Sequence, residues 1–319
     1  MRRLLRFCLW IAAIYLILCT AIAAFLVHGT LRPARRVLPA EAEAEARRVA
    51  SGLHSQLTDV EIEAPDHIIL RGWYIQPERS NRDAVILFHG LSDNRMGTVG
   101  YAELLLRHGY AVIMPDARAH GASGGDLAAY GVIERYDIQR WFEWLERTSH
   151  PQCIYGLGES MGAAQLLQAV GVEPGFCAVV AESSFSSFRE IAYDRMGQQF
   201  GAGPWVGRTV LRPVVEIALL MTRYEYHLDL TNSSPIDAVA KTHVPVLLIH
   251  GQVDSNIPVR HSRMIRAQGS DVQLWEVPGA DHCGAISVAP AELEQRVVSW
   301  FATHQKAGTA VQVHAVAAN

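Results

Sequence analysis

An α/β fold with a mostly parallel central sheet, helices on both faces and a helical cap insertion is predicted by three observations. Short apolar runs alternate with helical patterns from Val60 to Phe301, the rhythm of βαβ units. The run Ala84-Val85-Ile86-Leu87-Phe88 carries no polar residue, as suits a strand buried on both faces. The alternation breaks once, between Ser183 and Ala240, in a stretch rich in aromatic residues and long enough to cover the sheet. A chain of 319 residues has room for one such domain plus appendages. Half the residues are apolar and the formal net charge is −4, so no electrostatic footprint for nucleic acid is expected.

The elements follow in order. Phe7 to Val27 is uncharged and apolar, preceded by Arg2, Arg3 and Arg6, and is long enough to span a bilayer. Residues 1–28 are therefore read as a single-pass transmembrane anchor, with a cleaved signal peptide as the alternative, because Ala21-Ile22-Ala23 resembles a cleavage site. Arg32, Arg35, Arg36, Arg47 and Arg48 rival the three leading arginines, so charge leaves the orientation open. Residues 29–59 are a linker with a short polar helix over Glu41 to Leu57, whose acidic-then-basic order suits the helix dipole.

The main domain is expected over 60–305. Val60–Ala64 and Ile68–Ile75 can form an antiparallel pair, followed by strand Ala84–Phe88, helix Tyr101–Arg107 and strand Ala111–Met114. Ile138, Trp141, Phe142 and Leu145 have helical spacing, and their aromatic rings read as core. After strand Cys177–Ala181 and the cap at about 183–240 come strand Val246–Ile249, helix Arg260–Ala267, strand Val272–Val277 and helix Ala291–Phe301. The tail, 306–319, has no amphipathic pattern. Cys153 and Cys177 each open an expected strand, where a free thiol packs as a small hydrophobe; a disulfide is the alternative. No Cys or His spacing suggests a metal, and no cofactor is expected.

The chemistry centres on Gly158-Glu159-Ser160-Met161-Gly162, a G-x-S-x-G pentapeptide. Chance supplies one in roughly one chain of this length in ten, so its setting matters. An apolar run, Cys153 to Leu157, precedes it and a helical run, Ala163 to Val170, follows, which puts Ser160 on a strand-to-helix turn. A serine hydroxyl needs a base to take its proton and an acid to orient that base. Asp254 falls just past strand Val246–Ile249, and His282 just past strand Val272–Val277. Active-site residues gather at such carboxyl ends in open α/β sheets.

With its order Ser160, Asp254, His282, the chain resembles the α/β-hydrolase superfamily over about residues 60 to 305. His89-Gly90-Leu91-Ser92-Asp93-Asn94, Asp116-Ala117-Arg118-Ala119-His120-Gly121-Ala122-Ser123-Gly124 and Ser234-Pro235-Ile236-Asp237 strengthen the likeness. Within the superfamily it is most similar to the membrane-associated Bem46-type serine hydrolases. The resemblance implies an oxyanion hole made by the backbone N–H groups of Leu91 and Met161. It also implies that His89 and His120 shape loops.

Each assignment has a rival. Glu182, at the end of strand Cys177–Ala181, is a substitute acid, and His250 and His261 compete with His282 as base. Asp281 reads as a loop-ordering residue, and Cys283 as incidental. The expected reaction is hydrolysis of a small-molecule acyl ester through an acyl-enzyme, and the aromatic cap and membrane anchor suggest a lipophilic acyl group. The same triad would serve an amidase, peptidase or thioesterase, and the same fold a non-catalytic membrane-anchored binding protein.

Overall fold

The computed structural model describes residues 1–201 and 203–306; the expected tail from 307 lies outside them. Two helices come first, α1 (Arg2–Leu31) and α2 (Ala40–Gly52). α1 has a mean hydropathy of 2.5 over its most apolar window and is long and apolar enough to cross a membrane. α2 ends five residues before the expected Leu57, because the chain turns at Leu53 and His54, the latter at φ +50°. Ser55 to Leu57 instead open the first strand.

The strands are β1 (Ser55–Glu63), β2 (Ile69–Pro77), β3 (Ala84–Phe88), β4 (Ala111–Pro115), β5 (Ile154–Glu159), β6 (Ala178–Glu182), β7 (Val246–Gly251) and β8 (Val272–Val277). They form one eight-stranded sheet in the order β1-β2-β4-β3-β5-β6-β7-β8. β1 pairs antiparallel with β2, and β2 with β4, while the other neighbours run parallel. The connecting helices are α3 (Val99–Arg107), α4 (Glu134–Ser149) and α5 (Met161–Ala169). Between β6 and β7 lie α6 (Phe188–Gln199), α7 (Pro204–Arg208), α8 (Arg212–Glu225) and α9 (Pro235–Val239), and then follow α10 (Arg260–Arg266), α11 (Ala285–Val288) and α12 (Pro290–Thr303).

Strand alternation divides the core. Val85 and Leu87 of β3 pack with α3 and α12 on one face, whereas Ala84, Ile86 and Phe88 pack with α4 and α5 on the other. Both faces are buried, which explains the unbroken apolar run of β3. A third apolar cluster lies above the sheet edge and joins α1, α6 and α8.

A second expectation is overturned. Cys153 and Cys177 are joined by a disulfide, with their Cα atoms 5.7 Å apart, inside the separation a bridge requires. Each cysteine directly precedes its strand, and β5 and β6 are parallel neighbours whose starts are held together by the Cys177 N–H donating to the Ile154 carbonyl at 2.9 Å. The alternative, a disulfide, is therefore what the fold forms, because β5 and β6 are neighbours and bring the two strand starts together.

Candidate active site

The turn after β5 is built for a projecting side chain. Ser160 has φ +52° and ψ −116°, a conformation strained for any residue with a Cβ. Its N–H donates to the Glu182 carbonyl at 2.8 Å, which ties the turn to β6. The flanking glycines are steric necessities. A Cβ on Gly162 would lie 2.5 Å from the Phe88 carbonyl oxygen, and one on Gly158 would lie 2.7 Å from the Gly162 backbone.

Asp254 follows β7 and His282 follows β8, so three strand ends deliver the three side chains to one place. The Ser160 hydroxyl lies 2.8 Å from His282 Nε2, and His282 Nδ1 lies 2.9 Å from Asp254 Oδ2. With Nδ1–H donating to the carboxylate, Nε2 is left to accept from the hydroxyl. The other carboxylate oxygen, Oδ1, accepts the N–H groups of Asn256 and Ile257 at 2.9 and 2.8 Å. Burial by itself would raise the Asp254 carboxyl, but hydrogen bonds from His250 and His282 outweigh it and hold the group well below the usual range. Asp254 is thus a fixed anion beside the imidazole.

The rival residues are engaged elsewhere. Glu182 accepts from the Tyr101 hydroxyl and from the Ala285 N–H, the latter at 3.0 Å. His250 is fully buried, contacts Ser262 Oγ and the Ile257 carbonyl at 2.7 and 2.8 Å, and lies 3.3 Å from Asp254. It buttresses the acid. His261 lies between Ser186 and Asp194. Asp281 accepts from the Ser255 and His282 N–H groups, each at 2.8 Å, and so joins the acid loop to the histidine loop. Cys283 is held near neutral thiol form, since burial raises it and the charges of Glu182, Glu159 and Asp254 raise it further.

The loop after β3 is fixed by its histidine. His89 Nε2 accepts the Ala117 N–H at 3.0 Å while Nδ1 donates to the Gly90 carbonyl at 2.8 Å. His120 Nδ1 donates to the Arg118 carbonyl at 2.9 Å. Neither ring reaches Ser160. Asp116 adds a buried clasp, accepting from the Arg95 N–H and guanidinium and from the Ala122 N–H. These contacts set Leu91 at the site, where Leu91 and Met161 line the same cavity as Ser160 and His282. Among the described residues, the N–H groups of Leu91 and Met161 have no protein acceptor. Sequence reading gave Glu159 no role, yet it lines the cavity beside the serine. Burial pushes its carboxyl up to about 7, with the Glu182 and Asp93 charges adding to the rise.

The cavity holds about 990 Å³, the upper end of the ~300–1,000 Å³ usual for small-molecule sites. Its walls are mostly apolar. They come from the inner face of α8, with Val214, Val215 and Leu219, from α6, and from residues 25–30 of α1. The α1 wall was also missed from sequence. The one available signal was a four-residue spacing, Cys19, Ala23, Val27, Leu31, along an otherwise uniformly apolar helix. Among the described residues no group of three or more His, Cys, Asp or Glu is gathered to hold a metal ion.

Comparison with known proteins agrees with this architecture. The uncharacterized protein YqkD of Bacillus subtilis is 28% identical over 217 residues, covering 67% of this chain and 68% of its own length. The uncharacterized protein YfhR of Escherichia coli is 27% identical over 237 residues, covering 72% and 74%. Among solved structures, the Pyrococcus furiosus esterase Pf2001 superposes with a TM-score of 0.68 at 24% identity, covering 86% of this chain and 100% of its own. Est1E of Butyrivibrio proteoclasticus, bound to ferulic acid, gives 0.59 at 22% identity, covering 77% and 98%. Residues 85–296 match the family described as the alpha/beta hydrolase family. That match takes in all three strand ends from which Ser160, Asp254 and His282 project, and the chain belongs to the alpha/beta hydrolase family.

Proposed function

We propose that this hydrolase is a serine enzyme that cleaves carboxylic esters through an acyl-enzyme, with Ser160 as nucleophile, His282 as base and Asp254 as acid. The observation that carries the reading is the relay Ser160 Oγ to His282 Nε2 at 2.8 Å and His282 Nδ1 to Asp254 at 2.9 Å. Ser160 Oγ attacks the ester carbonyl as its proton passes to His282. The N–H groups of Leu91 and Met161 receive the developing oxyanion, each donor worth about 3 kcal/mol. Collapse breaks the bond to the leaving alcohol, which takes the proton from His282. Water, deprotonated by the same histidine, then releases the acid and regenerates the serine. Asp254 holds the imidazole tautomer and stabilises its charged form. These steps call for no cofactor.

The reading extends to the rest of the chain. Residues 183–240 act as a cap over the site, and Phe7 to Val27 as a membrane anchor, in keeping with a Bem46-type placement. The Cys153–Cys177 disulfide favours a hydrolase domain on the oxidising side of the membrane.

The test is labelling with a serine-directed fluorophosphonate, run beside a panel of acyl esters, thioesters and amides. Wild type should label and turn over esters fastest, and Ser160→Ala should do neither. A preference for amides or thioesters overturns the ester assignment. Failure to label overturns catalysis by Ser160 and favours a binding protein on the same fold.

A further inference from the structure

An anchor helix has no need to touch an active site, yet α1 forms part of this one. The Tyr15 hydroxyl donates to the Val210 carbonyl just before α8, and the Arg32 guanidinium lies 5.4 Å from the ring centre of Tyr226 just past its end. The two helices therefore run side by side in the same direction for about 24 Å at 1.5 Å per residue. Cys19, Ala23, Val27 and Leu31 are buried along this seam, in one cluster with Val214, Val215 and Leu219. Farther round the helix, Phe25, Leu26 and Gly29 line the cavity that contains Ser160 and His282.

Between Phe7 and Phe25 much of the α1 surface away from this seam is apolar and exposed, with Leu9, Ile14, Leu18 and Phe25 all more than half accessible. On α8, Leu220 and Tyr224 are exposed as well. Phe25 belongs to both surfaces, since it is 80% exposed and lines the cavity. A surface suited to hydrocarbon thus leads into the site at this residue. Just beyond the helix, Arg32 and Arg36 are exposed, at the level where lipid phosphates would lie if the apolar stretch sits in a bilayer.

We infer that α1 is one wall of the acyl site and that the substrate is a long-chain acyl ester drawn from the bilayer, its chain passing Phe25 between α1 and α8 while its carbonyl reaches Ser160. The inference rests on the ester-hydrolase reading above. The chemistry is unchanged: the bond from Ser160 Oγ to the acyl carbon forms, the bond to the leaving alcohol breaks, and water releases a fatty acid. What α1 adds is selectivity for chain length. Each methylene kept in apolar contact is worth about fourfold in kcat/KM, so a narrowed α1 wall penalises long chains and spares short ones by comparison.

Gly29 gives a direct probe, because a Cβ there meets no atom within 4 Å and opens onto the cavity wall. Full-length protein in phosphatidylcholine vesicles is assayed on p-nitrophenyl butyrate and p-nitrophenyl palmitate. Gly29→Trp should lower the palmitate-to-butyrate ratio of kcat/KM at least tenfold, whereas Ile17→Trp, on the exposed side of α1, should leave both rates as in wild type. An unchanged ratio in a Gly29→Trp enzyme that still hydrolyses esters overturns the inference and leaves the ester reading intact. Should wild type neither label nor hydrolyse either ester, the ester reading falls and the inference with it. A measurement independent of any folding defect uses Ser160→Ala protein and a long-chain ester ending in a photoreactive diazirine. Adducts on the segment 25–30 support the inference, and adducts confined to residues outside that segment, or none, overturn it.

Discussion

Replacing Ser160 by glycine should make the protein inactive and more stable than Ser160→Ala. Both variants lose the hydroxyl and its bond to His282, so their difference isolates the backbone. Ser160 has φ +52° and ψ −116°, a region that costs a residue with a Cβ about 1–3 kcal/mol and glycine almost nothing. Against that relief stands the larger entropy that glycine loses on folding, about 0.5–1 kcal/mol. The net gain is about 1 kcal/mol, equivalent to roughly 2–4 °C in Tm for a domain of this size. The assay is thermal unfolding of detergent-solubilised full-length protein at a fixed scan rate, with fluorophosphonate labelling as the check that both variants are inactive. If Ser160→Gly melts at or below Ser160→Ala, the elbow stores no strain and this account of the turn is wrong.

Other outcomes follow from the same geometry. Asp254→Asn should reduce kcat by about 10⁴ with little change in KM, as expected when the base loses its orienting anion; Glu182→Gln should cost less than tenfold, and the reverse order would exchange the two acids. Glu159 titrates at about 7 in the folded chain against 4.5 as its ordinary value. The folded state therefore holds the extra proton between those pH values, and stability falls as pH rises through that window. Glu159→Gln should accordingly be more stable than wild type at pH 8, by on the order of 2 kcal/mol after allowing for partial exposure, with the difference gone below about pH 4.5; a Tm difference independent of pH would contradict this. Thiol titration of unfolded, unreduced protein should count three free cysteines, Cys8, Cys19 and Cys283, and five after reduction. Cys177→Ser should lower stability by about 3 kcal/mol for a loop of this length, read from the denaturant midpoint, and five thiols before reduction would remove the disulfide from the account.

Local pattern carried much of this far. The buried strands β3 and β7 are where period and composition put them, because strands covered on both faces must be apolar throughout; β1 and β2 pair antiparallel as expected, but β1 opens at Ser55, five residues before the expected Val60. The turn at Ser160 was legible because Gly158 and Gly162 are required by contacts within a few residues or with the adjacent strand. Glu182 ends β6 and Asp254 follows β7, so both stand at carboxyl ends of strands, and only their partners, Tyr101 for one and His282 for the other, separate them. The Cys153–Cys177 link is not legible locally for a similar reason, since bridging depends on which strands are neighbours.

The sequence by itself determined the strand and helix rhythm, the glycine-flanked serine, and an apolar stretch long enough to enter a membrane. These are properties of segments, dictated by burial and by steric limits that act over a few residues. The tertiary structure decided which histidine meets the serine, which carboxylate meets the histidine, and that α1 closes the cavity around them. Contacts across 122 residues from Ser160 to His282, or from the first helix to the cap, are set by the packing of whole elements. No local period in the chain encodes them.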